Sequence, residues 1–111
     1  MKPAVLAIAL LAGLASTANA QEIPRFDVEA HCDNIARFGG DFSNITYNGC
    51  IDMEQSAYNN LKNRWGDVPT GIRSECMNIA TFGGTGDYMT LQGCIDMETS
   101  AANNQSEFSF D

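Results

Sequence analysis

The chain has 111 residues, 44% of them hydrophobic, and carries 6 Lys and Arg against 14 Asp and Glu, a formal charge of −8. This length suits one small domain. The negative excess repels nucleic-acid phosphates and anionic headgroups, so no nucleic-acid partner is expected, and a cation or a basic protein is the favoured counterpart.

Residues 1–20 read as a signal peptide. Lys2 supplies a positive start, Ala4 to Ala15 are apolar or small, and Ala18-Asn19-Ala20 is the small-x-small pattern that precedes cleavage. The apolar run is shorter than the roughly 20 residues needed to span a bilayer, and no second run follows, so no membrane span is expected after cleavage. Removal would leave residues 21–111, 111 − 20 = 91 in number, with five basic side chains against fourteen acidic ones, 5 − 14 = −9. A periplasmic or secreted protein in an oxidising compartment is the expectation.

The mature chain states one pattern twice. Residues 32–60 read CDNIARFGGDFSNITYNGCIDMEQSAYNN, residues 76–104 read CMNIATFGGTGDYMTLQGCIDMETSAANN, and the two align without a gap at an offset of 44, identical at 18 of 29 positions. Such duplication marks a supersecondary unit that buries its apolar face against its neighbour. Ile23-Pro24 and Val68-Pro69 open the two units. The expected domain is therefore residues 21–111, made of repeats at about 23–66 and 67–105 with a short C-terminal tail.

Within the first unit, Val28, Cys32, Ile35 and Phe38 fall at helical spacing, and Gly39-Gly40 ends the pattern, which predicts a helix over about 27–38. Asp41 or Ser43 can cap a second helix whose face runs Tyr47, Cys50, Ile51, Glu54, Ala57, Tyr58, Leu61 and Trp65, ending at Gly66. The segment 66–70, GDVPT, is the linker, because the residue before Pro69 is pushed out of helical geometry and proline suits the start of the next helix. The second unit repeats the scheme with Ile72, Cys76, Ile79 and Phe82, a break at Gly83-Gly84, and then Leu91, Cys94, Ile95, Glu98, Ala101 and Ala102. The tail NQSEFSFD alternates Phe108 and Phe110 with polar residues.

Four cysteines in an exported chain point to two disulfides. Cys32 and Cys50 each lie six residues from the turn, about 9 Å at 1.5 Å per residue, so antiparallel neighbours place the sulfurs side by side. The predicted pairs are Cys32 with Cys50 and Cys76 with Cys94. The fold expected is all-α: two tandem disulfide-stapled helical hairpins packed as a small four-helix bundle around Ile35, Phe38, Ile51, Tyr58, Leu61, Trp65, Ile79, Phe82 and Ile95. Gly49 and Gly93, ahead of the second cysteine of each unit, suggest close approach of the first helix beside the bridge.

Glu54 and Glu98 are the residues most open to a functional reading, since each places a carboxylate on a stripe otherwise held by Cys, Ile and Ala. With Asp52 and Asp96 nearby they form a candidate carboxylate site for calcium, another hard cation or a partner's basic side chain. The structural alternative has each glutamate satisfying backbone N–H groups or pairing with Arg37 or Arg73. His31 is the single histidine, its counterpart is Glu75, and no second group completes a catalytic set around it. No cofactor motif appears, and the methionines are scattered as core filling would have them.

The pattern C-x-N-I-A-x-F-G-G, eight residues, then G-C-I-D-M-E-x-S-A resembles small exported alphaproteobacterial proteins with two-cysteine helical units. More loosely, C-x-x-x-E-x-x-A with a later Leu resembles the periplasmic lysozyme-inhibitor-like (LprI-type) hairpins. The residues lead to a non-enzymatic interaction module that binds another envelope or secreted protein through acidic helical faces. Inhibition of a basic hydrolase such as lysozyme, which the looser resemblance implies, and hard-metal binding are the alternatives.

Overall fold

The computed structural model describes residues 22–111; the expected signal peptide lies outside them. Among the described residues there are four α-helices and no strand. Helix α1 spans Val28–Ala36, α2 Asn44–Lys62, α3 Thr70–Ala80 and α4 Tyr88–Asn103, with one turn of 3-10 helix at Trp65–Asp67. No helix among them is long and apolar enough to cross a membrane.

Short polar side chains start three of the helices. Asp27 accepts from the Ala30 N–H, Ser43 from that of Thr46 and Asp87 from that of Thr90, each satisfying one donor of a first turn. Helix α1 stops at Ala36 because Gly39 and Gly40 take φ of 95° and 131°, a region that side chains resist. The helix expected to run to Gly66 ends at Lys62, and Trp65 is buried from the separate 3-10 turn, with the Arg73 guanidinium over its ring at 5.7 Å.

Helix α1 packs on α2, α3 on α4, and α2 on α4. Both predicted disulfides are present: Cys32 joins Cys50 with Cα atoms 5.6 Å apart, and Cys76 joins Cys94 at 5.5 Å. The main core lies between α2, α3 and α4, where Ala57, Leu61, Trp65, Ala80, Leu91 and Ile95 meet. Tyr88 closes its top. Its ring lies 4.7 Å from that of Phe26 and 5.0 Å from that of Tyr58, while its hydroxyl donates to the Pro24 carbonyl and accepts from the Phe26 N–H. The stretch before α1 is thereby tied to the second half of the chain. Gly86 makes room for it, because at φ 81° a Cβ there would sit 2.9 Å from the Phe26 ring.

Five residues expected in the core lie outside it, among them Ile51, which is half-buried in the lining of a cavity with Glu54 and Tyr58. Phe38 and Phe82 are each 91% exposed, Ile35 42% and Ile79 48%. The inward stripe of α1 is narrow, made of Cys32 and Ala36 one turn apart, so Ile35 falls on its flank and Phe38 lies beyond the last helical turn. The same displacement occurs 44 residues later, where Cys76 and Ala80 point inward. Gly49 and Gly93 also depart from expectation, since a Cβ at either would meet nothing within 4 Å. Close helix approach therefore does not explain them. The tail after Asn104 is exposed throughout, its Phe108 and Phe110 rings touching only each other among the described aromatic contacts.

Candidate functional site

Among the described residues Glu54 is the one charged side chain that is buried, 2% exposed. It projects from α2 to the start of α4, where one carboxylate oxygen accepts from the Tyr88 N–H at 2.7 Å and the other from the Met89 N–H at 3.2 Å. Asp87 caps the third N–H of the same turn, that of Thr90, at 2.9 Å. All three leading donors of α4 are thus satisfied, two of them from a different part of the chain. Burial pushes the Glu54 carboxyl above its ordinary 4.5, and the Asp87 carboxylate adds to that. The two N–H groups, and more weakly His31, pull the other way.

His31, Glu54 and Asp87 bring ligand-type atoms within 4.8 Å of one another, a group drawn from α1, α2 and the cap of α4. They are the residue types that hold divalent metals. The carboxylates are already engaged with backbone donors at the positive end of α4, which opposes a second cation in the same place. The arrangement works first as a cap that joins the two halves of the chain.

Beside this cluster runs a groove of about 730 Å³. Ile35, Ile45, Met53 and Met89 form its apolar wall, and all four are exposed side chains. His31, Asp52, Glu54 and Asp87 supply its polar edge. Gly49 lies in its lining, so the open space above that Cα is groove, and the helical glycine keeps it clear at a cost of about 1 kcal/mol relative to alanine.

The four carboxylates singled out in the sequence do not meet at one point. Glu54 sits under α4 and Asp52 is exposed at the groove edge. Asp96 forms an ion pair with Arg64 at 2.6 Å, joining the end of α2 to α4. Glu98 is half-exposed and lines a smaller cavity with Ile79, Gly93, Cys94 and Met97. Sequence reasoning missed Asp87, Tyr88 and Phe26. Asp87 had a readable signal, since it stands 44 residues after the candidate cap Ser43. Tyr88 had none, because its counterpart is Asn44.

No protein-family model, no curated protein and no solved structure matches this chain.

Proposed function

We propose that the protein is an exported, non-enzymatic interaction module, two tandem stapled hairpins packed as a small bundle, and that its groove takes a cationic amphipathic helix from another envelope or secreted protein. One observation carries this reading: an apolar wall of Ile35, Ile45, Met53 and Met89 lies open beside the carboxylates of Asp52 and Asp87. Apolar side chains left outside a core this small mark a contact surface. The net charge selects the partner, because a basic helix is drawn to the acidic edge while its apolar face covers the wall. Inhibition of a basic hydrolase is a special case in which that helix belongs to the enzyme.

A synthetic helical peptide with leucine on one face and lysine on the other is the probe. The oxidised protein should bind it saturably, with affinity falling as salt rises. Met53→Lys should weaken binding at least tenfold, about 1.4 kcal/mol, and leave the melting temperature unchanged because Met53 is more than half exposed. Equal binding by Met53→Lys and wild type, or no saturable binding, would remove the groove from the account. A lysozyme turbidity assay with the same two proteins tests the hydrolase case.

A further inference from the structure

The large groove has a smaller counterpart at the offset of the sequence repeat. Ile35, Thr46, Gly49, Cys50, Met53 and Glu54 line the first, and Ile79, Thr90, Gly93, Cys94, Met97 and Glu98, each 44 residues on, line the second. What meets the first is visible within the molecule: the leading turn of α4 gives its Tyr88 and Met89 N–H groups to Glu54 and sets Met89 and Thr90 against the groove. Glu98 receives no such helix among the described residues, and its groove of about 360 Å³ stays open.

The turn that would fit it is also on this chain. Positions 44 before Asp87, Met89 and Thr90 are Ser43, Ile45 and Thr46, again a capping residue, a large apolar residue and a threonine. Ser43 caps the Thr46 N–H as Asp87 caps that of Thr90. The Asn44 and Ile45 N–H groups, which correspond to the two that Glu54 receives, have no acceptor among the described residues, and the Ile45 side chain is 87% exposed. An exposed helix start with two unspent donors and an exposed apolar side chain thus sits on the same molecule as an open groove with an acceptor at its base. The positive end of α2 and the Glu98 carboxylate attract each other.

We propose that the Glu98 groove receives the N-terminal turn of α2 from a second copy of this chain, repeating between molecules the contact that Glu54 makes within one. Socket and plug are built from different residues, so the contact is head-to-tail and extends beyond a dimer unless it closes into a ring. It is weaker than the internal contact. Asn44 replaces Tyr88 and Ala102 replaces Tyr58, so the aromatic packing around Tyr88 has no counterpart, and dissociation constants of about 0.1 to 1 mM are expected. The socket is separate from the partner groove described above, since neither Glu98 nor Met97 lines that groove, whereas the plug shares Ile45 with its wall, so an associated copy and a bound peptide compete there.

Sedimentation of the oxidised protein tests it. The weight-average mass of wild type should climb with concentration and pass that of a dimer. Glu98→Lys, which spoils the socket, and Asn44→Glu, which sets a carboxylate against Glu98 while suiting the first turn of its own helix, should each hold the protein monomeric with melting temperatures unchanged. Mixing the two variants sets one intact socket against one intact plug, and the other pairing places a carboxylate against an ammonium, so the mass should rise above that of either variant alone. Glu98→Gln, which keeps an acceptor and the fold, should associate with intermediate strength. A wild type that stays monomeric to about 1 mM, association that persists in both single variants, or a mixture that behaves as its components would each overturn the proposal. Peptide binding by Glu98→Lys, measured alongside, reports on the larger groove independently.

Discussion

Replacing Glu54 with alanine is expected to lower the unfolding free energy by about 2 to 4 kcal/mol at pH 7. The substitution strands the Tyr88 and Met89 N–H groups at the start of α4, and each was bonded to a carboxylate that is 2% exposed. Bonds to a charged acceptor contribute about 1.5 to 3 kcal/mol each, and relief of the buried charge offsets part of that loss. Glu54→Gln keeps one acceptor without the charge and should lose less than half as much. The pH dependence follows from the raised carboxyl. A folded-state pKa above that of the unfolded chain means that protonation favours the folded state, so the Glu54 contribution is fully present below about 4.5 and declines as pH rises through the raised value. The deficit of the alanine variant should therefore be larger at pH 4 than at pH 7. Urea titrations of the three proteins at both pH values check the order, and a deficit that grows from pH 4 to pH 7 would reverse the assignment.

Removal of the Cys32–Cys50 bridge is expected to release α1 while the rest of the core survives. Helix α1 buries only Cys32 and Ala36 of its own residues, and neither belongs to the cluster built around Leu61, Leu91 and Ile95. Its attachment therefore leans on the disulfide and on the Phe26 and Val28 contacts. The loop closed by this bridge joins positions 18 apart, which corresponds to about 3 kcal/mol. Cys76 lies within the core cluster, so loss of the Cys76–Cys94 bridge should cost as much by the same loop length and also loosen the packing of α3 on α4. Loss of both, on the order of 6 kcal/mol, matches the whole stability of many small domains and should leave the chain unfolded at 37 °C. Hydrogen exchange separates the two single variants. Fast exchange confined to residues 28–36 is expected for Cys32→Ala/Cys50→Ala, and uniform loss of protection across α3 and α4 in that variant would show that α1 is not an independently attached element.

The helices and the sulfur pairs were readable because both follow from short-range rules. Gly39-Gly40 marks a stop, Ser43 marks a start, and equal spacing to the turn pairs the cysteines. Burial was less readable. Ile35 and Phe38 fit a helical stripe with Cys32, yet α1 ends before Phe38 and its inward face is only as wide as a cysteine and an alanine. The apolar residues that repeat at 35 and 79 and at 53 and 97 belong to grooves, a distinction that periodicity does not carry because core and contact surface use the same residue types. Glu54 was conspicuous as a carboxylate on an apolar stripe, and satisfaction of backbone N–H groups was one of the two readings open to it. The donors it meets stand 34 and 35 residues away, a separation that no local pattern encodes. Glu98 occupies the same place in the repeat and is only partly buried, because among the described residues no helix start stands over it as that of α4 stands over Glu54.

The junction of the two halves at Glu54 is tested most directly by following the Tyr88 and Met89 amide protons by NMR as pH is varied. Both should shift together with the Glu54 side-chain carboxyl carbon, with one common midpoint above 4.5. Amide signals that stay fixed while Glu54 titrates, or a Glu54 midpoint at or below 4.5, would contradict a buried carboxylate seated on the start of α4.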